Sequence, residues 1–363
     1  HLNRSLEFLP DEETLRDLHA AGKSWTRPEL SILVSYAKVV LKQELLDDSL
    51  AEDAVVNNMI FEAFPESLQE KYAETIKAHR LRKEIIATQL ANRMVNRMGF
   101  SYCQRQNLSL GASSVETARA FVTVMALFDL HRIWESIEAL DYRVPAEIQH
   151  ELFFQVMRLG RRASRWFLRS SLALEPKHTI ERMQGCFELL LPKVAKLNSD
   201  SPKGDLRAQK RWIKAGVPEE LAMSVGSFDA CFLLPGIVDA SLSSDNQPEE
   251  MLDLRFELGK ELSLDWLMQQ MVDWQPESQW QDLARESNVD DLEYLGRQLT
   301  LGIHNLYPDL AGEELIERWK QDNQIKSGRF INMVNSFKSA GTQDISIFIV
   351  ALRELKDLVD SAL

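Results

Sequence analysis

Apolar residues recur at every third or fourth position through long stretches of the chain, which is the spacing of one buried face of an α-helix. The clearest example lies near the carboxy terminus, where one helix face would carry Ile345, Phe348, Ile349, Leu352, Leu355 and Val359. No stretch alternates apolar and polar residues for long enough to predict a β-strand. The pattern therefore predicts an all-α protein, built as an array of multi-helix bundles with little or no strand.

Capping signals mark where these helices begin and end. Three pairs match the capping box, in which a serine or threonine is followed three residues later by glutamate: Thr26 with Glu29, Ser49 with Glu52, and Ser113 with Glu116. Gly22 and Gly99 are predicted helix ends, and Asp344 is a predicted N-cap. The predicted helices cover 10–21, 26–46, 49 to the residue before Pro65, 66–98 with a bend near His79, 114–128, 130–140, 145–174, 178–198, 205–215, 218–228, 230–242, 248–262, 264–273, 278–306, 311–323, 328–339 and 344–361.

The segment 200–205 is rich in turn-forming residues and is the best candidate for a linker. It would separate a first helical unit at 1–199 from a second at 206–363. A shift of 134 residues also pairs Val124 with Leu258, Phe128 with Leu262, Leu130 with Leu264, Ile133 with Leu267, Ile137 with Met271 and Leu140 with Trp274. This spacing indicates two related helical units, roughly 110–200 and 245–310, although unrelated amphipathic helices could match in the same way.

Composition and charge exclude several classes of protein. A net charge of −13 argues against nucleic acid as a partner, because contacts from basic residues to phosphate supply most of that affinity. No run of 18 apolar residues and no signal peptide occur, so no membrane association is predicted. The three cysteines are far apart in sequence, which favours a reducing cytoplasm. The chain begins with His1, which indicates either a numbering artefact or a piece of a longer protein.

Glycine and histidine spacing excludes the common catalytic and cofactor motifs. The two closest glycines, Gly296 and Gly302, are six residues apart, too far for a dinucleotide-binding loop, a P-loop or a nucleophile elbow. The pairs Glu147/His150 and Glu175/His178 have the spacing of di-metal bundles, but surface polar residues explain them more simply. We therefore predict no catalytic, cofactor-binding or metal-binding residue in this chain.

Two basic stretches run against the acidic balance of the chain. They place arginines on one side of a helix at 77–105 and again at 158–169. Arginine is favoured where its planar group pairs with carboxylates, so these faces are candidate contacts with another domain or subunit. A solvated helix face is the simpler alternative. The candidate contact residues are Arg82, Arg93, Arg97, Arg158, Arg161, Arg162, Arg165 and Arg169.

Several strings in the chain are distinctive when they are taken together and in order. They are Leu2–Pro10, Thr26–Leu30, Tyr36–Lys38, His79–Thr88, Asn92–Arg97, Gly99–Phe100, Ala139–Ala146, Arg165–Arg169, Leu264–Leu267, Trp280–Arg285, Asp290–Tyr294 and Arg297–Thr300. Together they resemble the carboxy-terminal region of the large bacterial NAD-specific glutamate dehydrogenases. The resemblance runs from residue 2 to about 306 and is most specific between 26 and 170.

The resemblance implies a parent enzyme that converts L-glutamate and NAD to 2-oxoglutarate, ammonia and NADH. In that family the dehydrogenase domain lies upstream, so the catalytic residues and the NAD site are expected outside this chain. The chain is then expected to be inactive by itself and to act in assembly, domain packing or regulation. Its expected partners are the catalytic domain of the same polypeptide and other subunits. The alternative hypothesis is a free-standing helical adaptor that binds an acidic protein.

Overall fold

The computed structural model describes residues 4–46, 50, 53–170, 172, 175–199, 206–244, 246–341 and 344–362. These residues form twenty α-helices and no β-strand, which confirms the all-α prediction. The chain divides into two compact units, His1–Arg182 and Met183–Leu363. The predicted linker at 200–205 lies outside the described residues.

The first unit begins with helices α1 and α2 and ends with the start of α10. Its helices are α1 (Glu12–Ala20), α2 (Arg27–Leu46), a 3-10 helix (Val56–Ala63), α3 (Glu66–Gln69), α4 (Ala73–Lys77), α5 (Arg82–Met98), α6 (Tyr102–Leu110), α7 (Ser114–Leu127), α8 (Leu130–Glu138), α9 (Ala146–Ser170) and α10 (Pro176–Ser199). An aromatic row fills its core, with the Phe121 ring 6.4 Å from Tyr102 and 6.5 Å from Trp134 between centroids.

The second unit contains the rest of α10 and ten further helices. They are α11 (Leu206–Lys214), α12 (Glu219–Gly226), α13 (Phe228–Cys231), α14 (Leu234–Ser244), α15 (Pro248–Glu261), α16 (Leu264–Asp273), α17 (Gln279–Leu306), α18 (Gly312–Asp322), α19 (Gln324–Ala340) and α20 (Ile345–Val359). The side chains of Trp319, Phe330 and Phe348 are buried in its core.

Capping groups fix several helix starts as the sequence predicts. Ser113 and Glu116 form a reciprocal capping box at the start of α7. The Glu29 carboxylate accepts hydrogen bonds from the backbone N–H and the hydroxyl of Thr26 at the start of α2. Asp344 accepts from the N–H of Ser346 and caps α20. The predicted box at 49–52 falls mostly outside the described residues.

The structure differs from the predicted elements in several places. The stretch predicted over 66–98 forms three helices, α3, α4 and α5, and the break between α4 and α5 lies at the predicted bend near His79. There the ring Nδ1 of His79 accepts the backbone N–H of Leu81. The helix predicted before Pro65 is a 3-10 helix. Just before its start, the Asp53 carboxylate accepts a hydrogen bond from the backbone N–H of Val55. Helix α6 was not predicted, because it fills the short interval between Gly99 and Gly111.

The helix boundaries recur at the 134-residue spacing of the predicted repeat. Helix α7, shifted by 134, coincides with α15, and the starts of α8 and α16 coincide in the same way. Asp129 and Ser263, which are also 134 residues apart, have positive φ values of 48° and 56° immediately before α8 and α16. Such values are uncommon for residues with a side chain, so their recurrence confirms the repeat over these helices.

No single helix among those described is both long and apolar enough to cross a membrane. The pair Glu219–Gly226 and Phe228–Ser244 reaches that length and composition only when joined across a 45° bend. Its residues Ile237 and Val238 are buried within the second unit.

Candidate functional site

The two basic faces predicted from the sequence lie on α5 and α9, which pack together in the first unit. Arg161 of α9 donates from Nε, at 3.0 Å, and from Nη2 to the backbone carbonyl of Met98, the last residue of α5. The last carbonyl groups of a helix receive no hydrogen bond from within that helix, so an arginine here supplies the missing donor. Arg161 is therefore a cap for α5 that a different helix supplies.

Gly99 makes room for this cap. Its φ of 88° and ψ of 157° lie in a region that is essentially restricted to glycine. A Cβ atom at this position would lie 3.0 Å from Nη2 of Arg161. The backbone conformation therefore requires glycine after α5, and the guanidinium lies close to where a Cβ atom would be.

Arg165 and Arg97 are also held within the first unit. Arg165 is only 9% exposed, and its Nη1 donates to the Ser109 hydroxyl on α6 at 2.6 Å. Arg97 pairs with Glu138 on α8, and its guanidinium lies 5.0 Å from the centroid of the Trp134 ring. These contacts connect α5, α6, α8 and α9.

Two further candidates on α5 contact the 3-10 helix. The Nη1 group of Arg82 donates to Oδ1 of Asn57 at 3.1 Å. Arg93 forms an ion pair with Glu62. The basic face of α5 is therefore directed at a neighbouring element of the same unit along much of its length.

The remaining candidates lie along α9. Arg158 and Arg162 are half-buried, and Arg169 is exposed. The Nη1 group of Arg158 donates to Oε1 of Gln155, one turn earlier, at 3.4 Å. A contact of any of the eight arginines with another domain or subunit stays a prediction.

A groove of about 650 Å³ opens between α2, α5, α6 and α7. Glu44 and Ser114 are hydrogen bonded to each other at its wall. The other walls are mostly apolar and include Val40, Leu41, Met94, Val95, Phe100 and Tyr102. Such a lining suits the apolar side chains of a protein segment better than it suits a charged substrate.

The cysteines are not arranged as nucleophiles. Burial and, to a smaller extent, the Glu44 charge raise the pKa of Cys103, in the groove wall, to about 12. Burial also raises the pKa of Cys231 to about 12 and raises that of Cys186. Reactive cysteines have lowered pKa values, so these thiols are neutral packing groups at physiological pH.

The second unit holds a group of charged side chains that the sequence reasoning missed. Arg255 of α15 is 2% exposed and Glu293 of α17 is 4% exposed. Burial lowers the pKa of Arg255, and the charges of Asp265 and Glu293 oppose that change. The Arg297 Nε lies 3.8 Å from Oε1 of Glu293. We call Arg255, Asp265, Glu293 and Arg297 the α15–α17 charge cluster.

Three glycines leave space for this charge cluster. A Cβ at Gly296 would lie 3.2 Å from Nε and Nη2 of Arg255. A Cβ at Gly259 would lie 2.9 Å from Oδ1 of Asp265, and one at Gly236 would lie 2.9 Å from Cδ of Arg297. The charged side chains therefore fill the volume that the side chains of larger residues would take.

The repeat shows what this cluster replaces. Arg255, Glu293 and Arg297 stand 134 residues after Phe121, Leu159 and Ala163, which are all buried apolar residues of the first unit. Buried ion pairs are often no more stabilising than apolar side chains of similar volume. The second unit therefore carries charged residues at positions where the equivalent helices of the first unit have buried apolar residues.

No group of three or more His, Cys, Asp or Glu side chains that could hold a metal ion occurs among the described residues.

Comparison with known proteins identifies what the chain resembles. The family model described as "Glutamate dehydrogenase, C-terminal" matches residues 22–357. An NAD-specific glutamate dehydrogenase of Pseudomonas aeruginosa is 36% identical over 364 residues, covering 99% of this chain and 22% of that enzyme. The enzyme of Halomonas elongata is 34% identical over 372 residues, with 99% and 22% covered.

A more distant relative has the same extent of match. The NAD-specific glutamate dehydrogenase of Mycobacterium tuberculosis is 28% identical over 360 residues, covering 98% of this chain and 22% of that enzyme. The chain thus spans about a fifth of the length of the curated relatives that it matches.

Proposed function

Because the chain belongs to the family of glutamate dehydrogenase carboxy-terminal regions, we propose that it serves assembly, domain packing or regulation in a longer NAD-specific enzyme. The parent enzyme would oxidise L-glutamate to 2-oxoglutarate and ammonia and reduce NAD. The catalytic groups and the NAD site would lie in the upstream part. The chain's partners would be that upstream part and other subunits.

The observation that carries this proposal is the match over nearly the whole chain but only 22% of each relative. The glycine spacing supports it, because no two glycines are close enough to build a dinucleotide-binding loop. The neutral thiols support it too, because they offer no activated nucleophile. Three separate free cysteines fit a reducing compartment such as the cytoplasm.

The isolated chain is the direct test of the non-catalytic role. We expect it neither to reduce NAD in the presence of L-glutamate nor to bind NAD in a calorimetric titration. Binding with a micromolar dissociation constant at a defined site would contradict the proposal.

The full-length enzyme tests the assembly role. Removing the region should change the oligomer mass measured by light scattering, or lower the rate of NAD reduction per catalytic domain. Unchanged oligomer mass together with an unchanged rate would exclude a role in assembly, packing and regulation. The mass of the native gene product separates the adaptor alternative, because a native chain of about this length would favour an adaptor.

A further inference from the structure

The amino-terminal helices leave much of their apolar surface uncovered. Helix α1 buries no residue, and the twenty residues of α2 bury only Leu41 and Leu45. Yet apolar residues occur on every side of α2, which is typical of a helix that is covered all round. The first unit by itself therefore does not satisfy this helix.

The uncovered residues lie on α2 and on the turn that Tyr36 of α2 holds beside it. Val39 and Val40 on α2 are 55% and 45% exposed, while Leu6 and Phe8 before α1 are 70% and 92% exposed. The Tyr36 hydroxyl donates to Oε1 of Glu7 at 2.6 Å, which fixes the turn holding Leu6 and Phe8 beside α2. We call Leu6, Phe8, Val39, Val40 and Phe100 the N-terminal strip.

Phe100 extends the strip to the groove. It is 56% exposed, and it lines the groove together with Val40. The strip therefore leads from the amino-terminal turn, along α2, to the groove.

The turn presents its apolar side chains in a fixed way. Leu9 is buried and its backbone N–H donates to the carbonyl of Arg4 at 2.9 Å, so both ends of the turn are held. Phe8 has a φ of 53°, a left-handed conformation that is unfavourable for a bulky residue. A bulky aromatic residue in that conformation and 92% exposed is typical of a contact with something else.

We propose that the N-terminal strip is the docking surface for the part of the parent polypeptide that precedes this chain. This inference rests on the proposed function, in which the remaining four fifths or so of the enzyme lies upstream. Leu6 and Phe8 belong to the segment by which that upstream part would be joined to this one. A covalently joined segment has a high local concentration, so a small apolar surface is enough to hold it.

A second copy of the chain is the less favoured occupant. Stable dimers usually bury about 1,200–2,000 Å² in total. The strip offers five side chains and a groove of about 650 Å³, which suits a tethered segment better than a free protein.

Photo-crosslinking in the full-length enzyme tests the occupant. A photoreactive phenylalanine analogue would replace Val40 in one variant and Val350 of α20 in another, because these valines are 45% and 47% exposed. We expect crosslinks from position 40 to peptides upstream of this chain, without a change in subunit mass on a denaturing gel. A doubled subunit mass, or no more crosslinking at position 40 than at position 350, would overturn the proposal.

Hydrogen exchange provides the second measurement. In the full-length enzyme, Val40→Glu should raise the exchange rates of the α2 amides at least tenfold, while Val350→Glu should leave them unchanged. Equal α2 exchange in the two variants would count against the strip. Crosslinks between two copies would overturn the strip assignment and leave the assembly role intact. If the crosslinks are intramolecular but loss of the region leaves assembly and rate unchanged, the strip assignment stands and the assembly role fails.

Discussion

A buried arginine such as Arg255 is stable only while carboxylates remain beside it. Glu293 is only 4% exposed, and replacing Arg255 with alanine would leave Arg297 as its remaining cationic neighbour. Removing one member of a buried charged group costs up to about 3–5 kcal/mol, so Arg255→Ala should clearly lower the free energy of unfolding. Urea unfolding followed by tryptophan fluorescence measures the change.

The matched control installs the apolar residues of the first unit. The triple variant Arg255→Phe, Glu293→Leu, Arg297→Ala strands fewer charges and copies the equivalent positions Phe121, Leu159 and Ala163. We expect it to be clearly more stable than Arg255→Ala, because apolar replacements of buried ion pairs are often neutral or stabilising. If both variants lose the same stability, charge pairing is not what Arg255 contributes.

The buried thiols predict a loss of stability at alkaline pH. Burial raises the pKa of Cys103 and Cys231 from 9.0 to about 12. Between those values the unfolded chain releases thiol protons that the folded chain keeps, so stability falls as pH rises. By about pH 10 the loss is of order 1 kcal/mol for each thiol. Urea unfolding at about pH 8 and about pH 10 measures it, and Cys103→Ala with Cys231→Ala should show a smaller loss.

At the scale of helices, the end of α5 depends on Gly99. Gly99→Ala would place a side chain in a glycine-only backbone region and 3.0 Å from Nη2 of Arg161. We expect a loss of about 2–4 kcal/mol, from backbone strain and a weakened cap. Thermal unfolding of the 363-residue chain would detect it.

Gly111 at the end of α6 is the matched control. Its φ is 71°, and a Cβ atom there would meet nothing within 4 Å. Gly111→Ala should therefore cost only about 1 kcal/mol, the usual penalty for alanine in the left-handed region. A loss at position 99 no larger than at position 111 would mean that the Arg161 contact adds nothing.

The same helices show how far sequence reasoning reaches. Local signals predict the box of Ser113 and Glu116, because the two groups are close in sequence. The repeat of α7–α8 in α15–α16 is also predicted, because both copies carry the same spacing of apolar residues. The sequence also predicts the bend near His79, but the earlier break between α3 and α4 depends on which turns find packing partners, and a periodic pattern does not record that. Arg161 was placed on the correct helix face, but its bond to the Met98 carbonyl joins residues 63 apart. The charge cluster was missed because its members also come from helices that are distant in sequence. The repeat nevertheless places Arg255 at the position equivalent to Phe121.

At the scale of the whole chain, the carboxy terminus closes the second unit. The buried side of α20 packs on α17, and Ala362 beyond it is 2% exposed. A Cβ atom at Gly302 of α17 would lie 2.6 Å from the Ala362 carbonyl oxygen. Close packing at this glycine therefore holds the segment around Ala362 in place.

Two alanine substitutions of opposite expected sign test this closure. Gly302→Ala must displace the backbone of the terminal residues, so we expect a loss of about 1–3 kcal/mol, the usual cost of overpacking. Gly328→Ala in α19 meets nothing within 4 Å, and it should gain about 0.5–1 kcal/mol because alanine favours the helix. Urea unfolding followed by tryptophan fluorescence measures both. The closure is contradicted if Gly302→Ala is as stable as the parent chain, since the terminal residues would then not need the space that this glycine leaves.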